Sequence, residues 1–331
     1  MEYTKIKNID REVSRICLGT WSMGGWLWGG SDKKQCIKTI FKAIDLGINI
    51  IDTAPVYGFG LSEEIVGEAI SETASRHEIL IATKAGLEWN NGNVYRNSSK
   101  DRILKEIDES LKRLRTDYID LYQIHWPDPL VPIEETAEIM SILLKEGKVR
   151  SIGVSNYTPE QMGLFMTVSE LHTSQPPYNL FERGIDTDVL PYCIENGITM
   201  LLYGAICRGL LGGKLNADSE FKGDDIRNFD PKFKANVFKK YLMAVDNLNS
   251  FAHETFGKNV LQLSVRWVLD SCKQDIAIWG ARNPDQLSEV SKITGWSIDK
   301  DSMNDIDKII NNVIKIPIGP EFMAPGPRPE A

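Results

Sequence analysis

The chain has 331 residues, 42% of them hydrophobic and 25% charged, with a formal net charge of −8. This composition describes a globular protein with material for a sizeable core, and its acidic balance argues against a general nucleic-acid binder. Five dispersed cysteines, Cys17, Cys36, Cys193, Cys207 and Cys272, include no CxxC pair, so no metal site is expected and a reducing, cytoplasmic setting is.

The N-terminal stretch lacks an apolar targeting core, and no apolar run is long enough to span a membrane. YTKIK, a turn at NID and REVSRI predict a small hairpin. Ile16–Trp21 reads as a first buried strand, followed by a loop rich in glycine and tryptophan. Asp32 caps a helix to about Leu46, where Gly47 stops it. Ile48–Ile51 is apolar on both faces, as a strand buried between a barrel core and a helix layer must be, and it ends in Asp52. Tyr57 follows on an irregular loop with Pro55, Gly58 and Gly60, and Ser62 with Glu63 and Glu64 predicts a capping box.

Glu78–Lys84 is a third strand ending in a charge, and the stretch GLEWNNGNVYRN is expected as loop. A helix capped by Ser99 leads to a fourth strand, Ile119–His125, and then to WPDP, which forbids helix. IEETAEIMSILLKEGK is the next helix, and the fifth strand, VRSIGVSN, ends in Ser155 and Asn156. Thr158 and Pro159 open another helix. Ser174–Leu180 is a sixth, irregular strand, a helix stopped by Gly197 follows it, and TMLLYGA and Ile276–Ala281 are the seventh and eighth strands. A helix is expected to begin at NPDQLSEVSKI, an extra helix at DSMNDIDKIINNVIK, and an extended proline-rich tail over 316–330.

Eight buried strands alternating with helices predict an α/β fold, a (β/α)8 barrel in a single domain over residues 1–331. It carries the N-terminal hairpin, a long clamp loop and helix between strands seven and eight (206–259), and the extra C-terminal helix. Asp52 and Tyr57 follow strand two, Lys84 strand three and His125 strand four, and in a barrel those strand ends are neighbours. Tyrosine titrates near ~10, so alone it is a poor acid at neutral pH. A neighbouring Lys84 ammonium is expected to lower that value, Asp52 to hold the lysine, and His125 to orient a carbonyl oxygen. None of these groups stores reducing equivalents, so reduction calls for a cofactor.

LGTW, IDTAPVYGFGLSEEIVGEAI, IATKAG, DLYQIHWPDP, VRSIGVSN, SQPPYNL, YGAICRGLLGGK and WGARNPDQLSE together resemble the aldo-keto reductases over nearly the whole chain. GGWLWGG, RNFDPKF and GPEFMAP make the chain most similar to a bacterial branch that includes a general stress protein and an inositol-catabolism relative. The resemblance implies reversible NADP(H)-linked reduction of aldehydes or ketones, with Tyr57 as proton donor and Asp52, Lys84 and His125 completing a tetrad. It implies Thr20, Trp21 and Asp52 near the nicotinamide ribose, Ser155, Asn156 and Gln175 on the carboxamide, and Tyr203 stacked on the ring. Gly204, Ala205, Ile206, Cys207, Arg208 and Lys214, with Arg227, are implied at the pyrophosphate. Gly280, Ala281, Arg282, Gln286 and Glu289 are implied at the adenosine end, with Arg282 suited to a 2′-phosphate by its rigid fork. The chain departs from the family's pattern at Gly280, where many relatives carry lysine, and at Val290, where they carry asparagine.

Two other readings stay open on the residues alone. One is a nicotinamide-binding, redox-sensing regulatory subunit with little turnover, and the other is an aldolase using Lys84 as a Schiff base. The expected partner is a small carbonyl compound; no metal, nucleic acid or membrane is expected, and a monomer is favoured. Trp21, Trp26, Trp28, Trp89 and Trp126 are expected to line the substrate cleft.

Overall fold

The computed structural model describes residues 1–72 and 76–329. Eight parallel strands close into a barrel: β1 (Ile16–Gly19), β2 (Ile50–Asp52), β3 (Leu80–Ala85), β4 (Ile119–Ile124), β5 (Val149–Ser155), β6 (Thr173–Gln175), β7 (Thr199–Leu202) and β8 (Ile276–Gly280). They neighbour one another in chain order, and β8 returns to β1 with Ala277 opposite Ile16. Outside them lie α1 (Lys33–Asp45), α2 (Leu61–Ser71), α3 (Lys100–Leu114), α4 (Ile133–Lys145), α5 (Pro159–Met166), α6 (Val189–Glu195), α7 (Ala235–Phe256), α8 (Val260–Ser271) and α9 (Lys300–Val313).

Strand alternation divides the apolar residues into two cores. Cys17, Ile50, Leu80, Ala82, Leu121, Leu201, Ile276 and Ile278 fill the lumen together with Ile6 and Val13. Their sequence neighbours Ile16, Leu18, Ile51, Ile81, Tyr122, Met200 and Trp279 pack outward under the helices. The lumen is narrow. A Cβ on Gly153 of β5 would stand 2.0 Å from Thr173 Oγ1, so that position admits no side chain. The hairpin at the N-terminus pairs Tyr3 with Ser14 and Thr4 with Val13, and it closes the lower end of the barrel.

Several local expectations are corrected. Ser62 is not a cap: α2 starts after Gly60, whose φ of 104° suits only glycine, and Ser62 lies buried within the first turn. Ser99 occupies the N-cap position of α3 without a side-chain cap bond, whereas Thr158 and Gln161 form a full capping box on α5. The stretch after β3 is a hairpin, Leu87–Asn90 paired with Asn93–Arg96 around a left-handed Asn91–Gly92 turn. Helix α8, passed over in the sequence, has its own capping box from Asn259 and Gln262. The helix expected at NPDQLSEVSKI is not an α-helix: Pro284–Leu287 and Val290–Lys292 are single 3₁₀ turns. The tail is not simply extended. It makes a 3₁₀ turn at Glu321–Met323 and then lays Gly326 and Pro327 beside Tyr95 and Arg96; Glu330 lies outside the described residues. No helix among the described residues is long and apolar enough to cross a membrane.

Candidate active site

At the C-terminal ends of the strands the alternation that filled the lumen continues, but the residues change from apolar to polar. Two places beyond Ile50 is Asp52, two beyond Ala82 is Lys84, two beyond Leu121 is Gln123, and two beyond Thr173 is Gln175. These side chains form a buried polar layer beneath a cavity of about 400 Å³. Lys84 is 0% exposed and Asp52 3%. The Lys84 ammonium donates to Asp52 Oδ1 at 2.7 Å, to the Thr53 carbonyl at 2.9 Å and to Tyr57 Oη at 3.3 Å. Asp52 Oδ2 accepts from Gln175 Nε2 at 2.8 Å and from Gln123 Nε2 at 3.5 Å. Thr20 N and Oγ1 both donate to the Asp52 carbonyl, and Ser62 Oγ, 2.8 Å from Thr20 Oγ1, fixes that threonine. A buried charge pair is stable only when its remaining valences are met, and here they are.

The electrostatics differ in one respect from the sequence expectation. Burial pulls the Lys84 ammonium down, but Asp52 and Tyr57 outweigh it, and the group stands above its usual value. Tyr57 moves up and not down: burial dominates, and the help from Lys84 is partly undone by Asp52. Lys84 still pulls the phenol down, but burial outweighs that pull and the Asp52 carboxylate offsets part of it. The phenol therefore keeps its proton at neutral pH. His125 is driven well below its ordinary value by burial and by Lys84, so its imidazole is neutral. It stands edge-on to Tyr57 with ring centroids 5.7 Å apart, and its ring makes no hydrogen bond to the described residues. Trp21 also stacks on the phenol, with ring centroids 6.0 Å apart.

The cavity runs from this group in two directions. Past β5 to β8 it is lined by Ser155, Asn156, Gln175, Tyr203, Gly204, Ile206, Arg208, Arg227, Gly280, Arg282 and Gln286. Asn156, held at φ 62°, donates to the His125 carbonyl and accepts from Tyr203 Oη at 2.9 Å. Ser155 Oγ donates to the Gln175 carbonyl. Past β1 to β4 the walls are Trp26, Val56, Leu87, Val94 and Trp126, completed by Met323 and Pro325 of the tail. Trp21 and Trp28 also line the cavity; Trp89 does not, because it packs behind the wall against Phe59 and under Arg102.

Five of the residues expected at the cofactor lie outside the lining. Ala205, Cys207 and Ala281 are buried in the core. Lys214 is exposed at the surface. Glu289 turns away to Gln262, Asn259 and Lys292, since the chain after β8 breaks into short turns. Arg208 borders the cavity, but its guanidinium is committed inward, to Asp230 at 2.6 Å and to Glu182. Lys232 joins Glu182 at 2.6 Å and completes a buried quartet of two cations and two anions. Arg227 grips Asp225 through two nitrogens and lies over Phe221. Arg282 donates to the carbonyls of Trp28 and Gly30 and has no ion-pair partner among the described residues. Gln123 stands inside β4 and not at its end, so only the alternation from Leu121 marks it in the sequence.

Comparison with known proteins agrees with this architecture. A model of the Aldo/keto reductase family matches residues 15–311. The chain is 56% identical over its full length, and over the full length of the relative, to an aldo-keto reductase of Bacillus subtilis named YhdN. It is 37% identical to an NADH-specific methylglyoxal reductase of Escherichia coli, over 87% of this chain and 92% of that one. A glycerol dehydrogenase structure from Gluconobacter oxydans superposes with a TM-score of 0.89 at 49% identity, covering 97% of this chain and 99% of that chain. An aldo/keto reductase from Klebsiella pneumoniae, solved in complex with NADP and acetate, superposes with a TM-score of 0.72 at 25% identity, over 93% and 95% of the two chains.

Proposed function

The chain belongs to the aldo/keto reductase family, and on that footing we propose that it is an NADP(H)-dependent oxidoreductase that interconverts small aldehydes or ketones and their alcohols. The observation that carries the reading is the buried ammonium of Lys84, bonded at once to Asp52 and to the hydroxyl of Tyr57 on the floor of one cavity. Such an arrangement serves proton transfer to and from an oxygen seated above it.

The residues present fit a nicotinamide dinucleotide. Gly280 borders the cavity, and a Cβ there would meet no described atom within 4 Å, so its missing side chain leaves room for a ligand. Ser155, Asn156 and Gln175 would hold the carboxamide, and Tyr203 the ring. Arg282, a cation without a carboxylate partner among the described residues, suits a 2′-phosphate, with Arg227 at the same mouth. Bound there, the reduced cofactor supplies hydride. Tyr57 holds the proton that a carbonyl oxygen takes up as it becomes an alcohol, and burial keeps it on the phenol until that moment. Neutral His125 offers an N–H to the same oxygen and orients it. Asp52 and the two glutamine amides keep Lys84 fixed, so that its charge stabilises the phenolate that forms. The aromatic walls exclude water from the exchange.

The test is a calorimetric titration of wild type and Tyr57→Phe with NADPH and NADH, followed by turnover on a panel of aldehydes. NADPH should bind both proteins alike and more tightly than NADH, while Tyr57→Phe loses kcat by ~10²–10⁴-fold. Substantial turnover in the variant would overturn the assignment of Tyr57, and equal affinity for the two dinucleotides that of Arg282.

A further inference from the structure

The wall of the cavity away from the proposed dinucleotide channel is assembled from three separate stretches of chain. Leu87 and Val94 come from the hairpin after β3, Trp126 from the loop after β4, and Met323 and Pro325 from the tail. These stretches share little backbone pairing. The tail adds only two residues, Gly326 and Pro327, to the hairpin's edge, opposite Tyr95 and Arg96. One side chain meets all three. Arg96 Nε donates to the Pro325 carbonyl at 2.7 Å, its Nη1 donates to the Pro127 carbonyl at 3.0 Å, and its guanidinium lies over the Trp126 ring at 5.6 Å. The residue itself belongs to the hairpin and is not part of the cavity lining.

We infer that Arg96 is a specificity-determining positioning residue: it fastens the tail and the Trp126 loop to the hairpin and thereby fixes the size of the carbonyl-substrate subsite. The inference rests on the reductase reading above. A guanidinium is suited to the task because its planar fork spans two carbonyls while its face stacks on an indole; an ammonium on a flexible stem does not do all three. Arg96 touches neither Tyr57 nor the dinucleotide side in these contacts. Its loss therefore falls on how a substrate is held, and not on proton transfer.

The measurement compares wild type, Arg96→Met, Arg96→Lys, a chain ending at Ala324, and the combination of that truncation with Arg96→Met. Each is assayed with NADPH on propanal, a small probe, and on 4-nitrobenzaldehyde, a bulky one. Two hydrogen bonds of ordinary strength correspond to ~10-fold, so Arg96→Met should raise KM for propanal by ~10-fold with kcat and NADPH affinity within ~2-fold. The bulky aldehyde should lose less, so the preference shifts toward it. The truncation removes the Pro325 contact but leaves those to Pro127 and Trp126, so it should give part of this shift, and the combined variant should fall short of the product of the two, because they share that contact. Arg96→Lys, which keeps the stem and the charge, should fall between and carries the same test if the methionine variant folds poorly. Unchanged KM, a loss in kcat equal for both aldehydes, or effects that multiply in the combined variant would each overturn the role of Arg96 alone. Wild type that reduces neither aldehyde would overturn the parent reading, and this one with it.

Discussion

Lys84 sits in the lumen with every donor directed, and the consequence is a division of labour between its neighbours. Its two shorter bonds go to Asp52 and to the Thr53 carbonyl, and the longer one to Tyr57. Tyr57 is raised from its ordinary 10.0 by burial ahead of the opposing pull of Lys84, and His125 is lowered from 6.5 by burial and then by Lys84. In the proposed reaction the acid must be protonated and the orienting imidazole neutral. Between the two values both conditions hold: above 6.5 the lowered histidine has shed its proton, and below 10 the raised phenol keeps its own. The reductive kcat should therefore stay flat from about pH 6.5 to about pH 9.5. A pH–rate profile with an ionisation near 8 in kcat would show that the phenol is acidified after all. The same residue scale explains what could be read in advance. Asp52, Lys84 and His125 were visible because each terminates an apolar run. Arg96, Met323 and Pro325 were not, since nothing local says that a tail more than two hundred residues away closes against one hairpin.

At the scale of elements, the cavity is roofed by two segments that reach toward each other. Asp224 accepts from Leu27 N at 2.8 Å and Gly29 N at 3.1 Å, Ile226 N donates to the Leu27 carbonyl, and Arg282 holds Trp28 from the side. The clamp expected between strands seven and eight is thus present, but it closes on the tryptophan loop, and its arginines are engaged with protein atoms. Arg208 illustrates why such roles resist sequence reading. An arginine in a glycine-rich loop suggests a phosphate partner, yet Glu182 and Asp230 claim it from distant stretches, and both it and Cys207 lie in left-handed backbone. Likewise the serine–glutamate pattern of α2 imitated a capping box while its serine was used to brace Thr20. Turn chemistry was legible where it is local, as with the Thr158 cap of α5, and the Asn91–Gly92 turn was there to be read. For the roof, Asp224→Ala removes two charge-assisted bonds at an exposed site and should speed NADPH release by ~10-fold with little change in the chemical step. Stopped-flow displacement measures that rate; an unchanged rate would mean the two segments do not retain the dinucleotide.

At the scale of the whole molecule, the barrel's lower end depends on another buried polar group. His172 is 0% exposed; its Nδ1 accepts from Ile152 N at 3.1 Å, and its Nε2 lies 3.1 Å from Glu170 Oε2 and 3.2 Å from Asn8 of the N-terminal hairpin. An accepting Nδ1 requires a neutral ring, and burial, only partly offset by Glu170, lowers the group from 6.5. The unfolded chain binds the extra proton first, so this contribution is present above pH 6.5 and is lost as pH falls below it. Between pH 7.5 and pH 5.5 wild type should lose roughly 1–3 °C more in Tm than His172→Gln. Parallel melting curves would refute this. The barrel as a class was readable because eight doubly apolar runs leave a parallel sheet few other ways to bury both faces. Its inside and outside then have different fates. Asp52 and Lys84 stand on strands, two residues beyond lumen positions, with Tyr57 and His125 on the segments that follow strand ends, whereas the walls that meet a substrate belong to a hairpin, a loop and a tail that cross the rim. Descendants of such a chain can exchange those borders, by insertion, shortening or grafting, and inherit the proton-handling floor intact. Novelty in what is accepted and constancy in what is done to it are stored in different stretches of the gene.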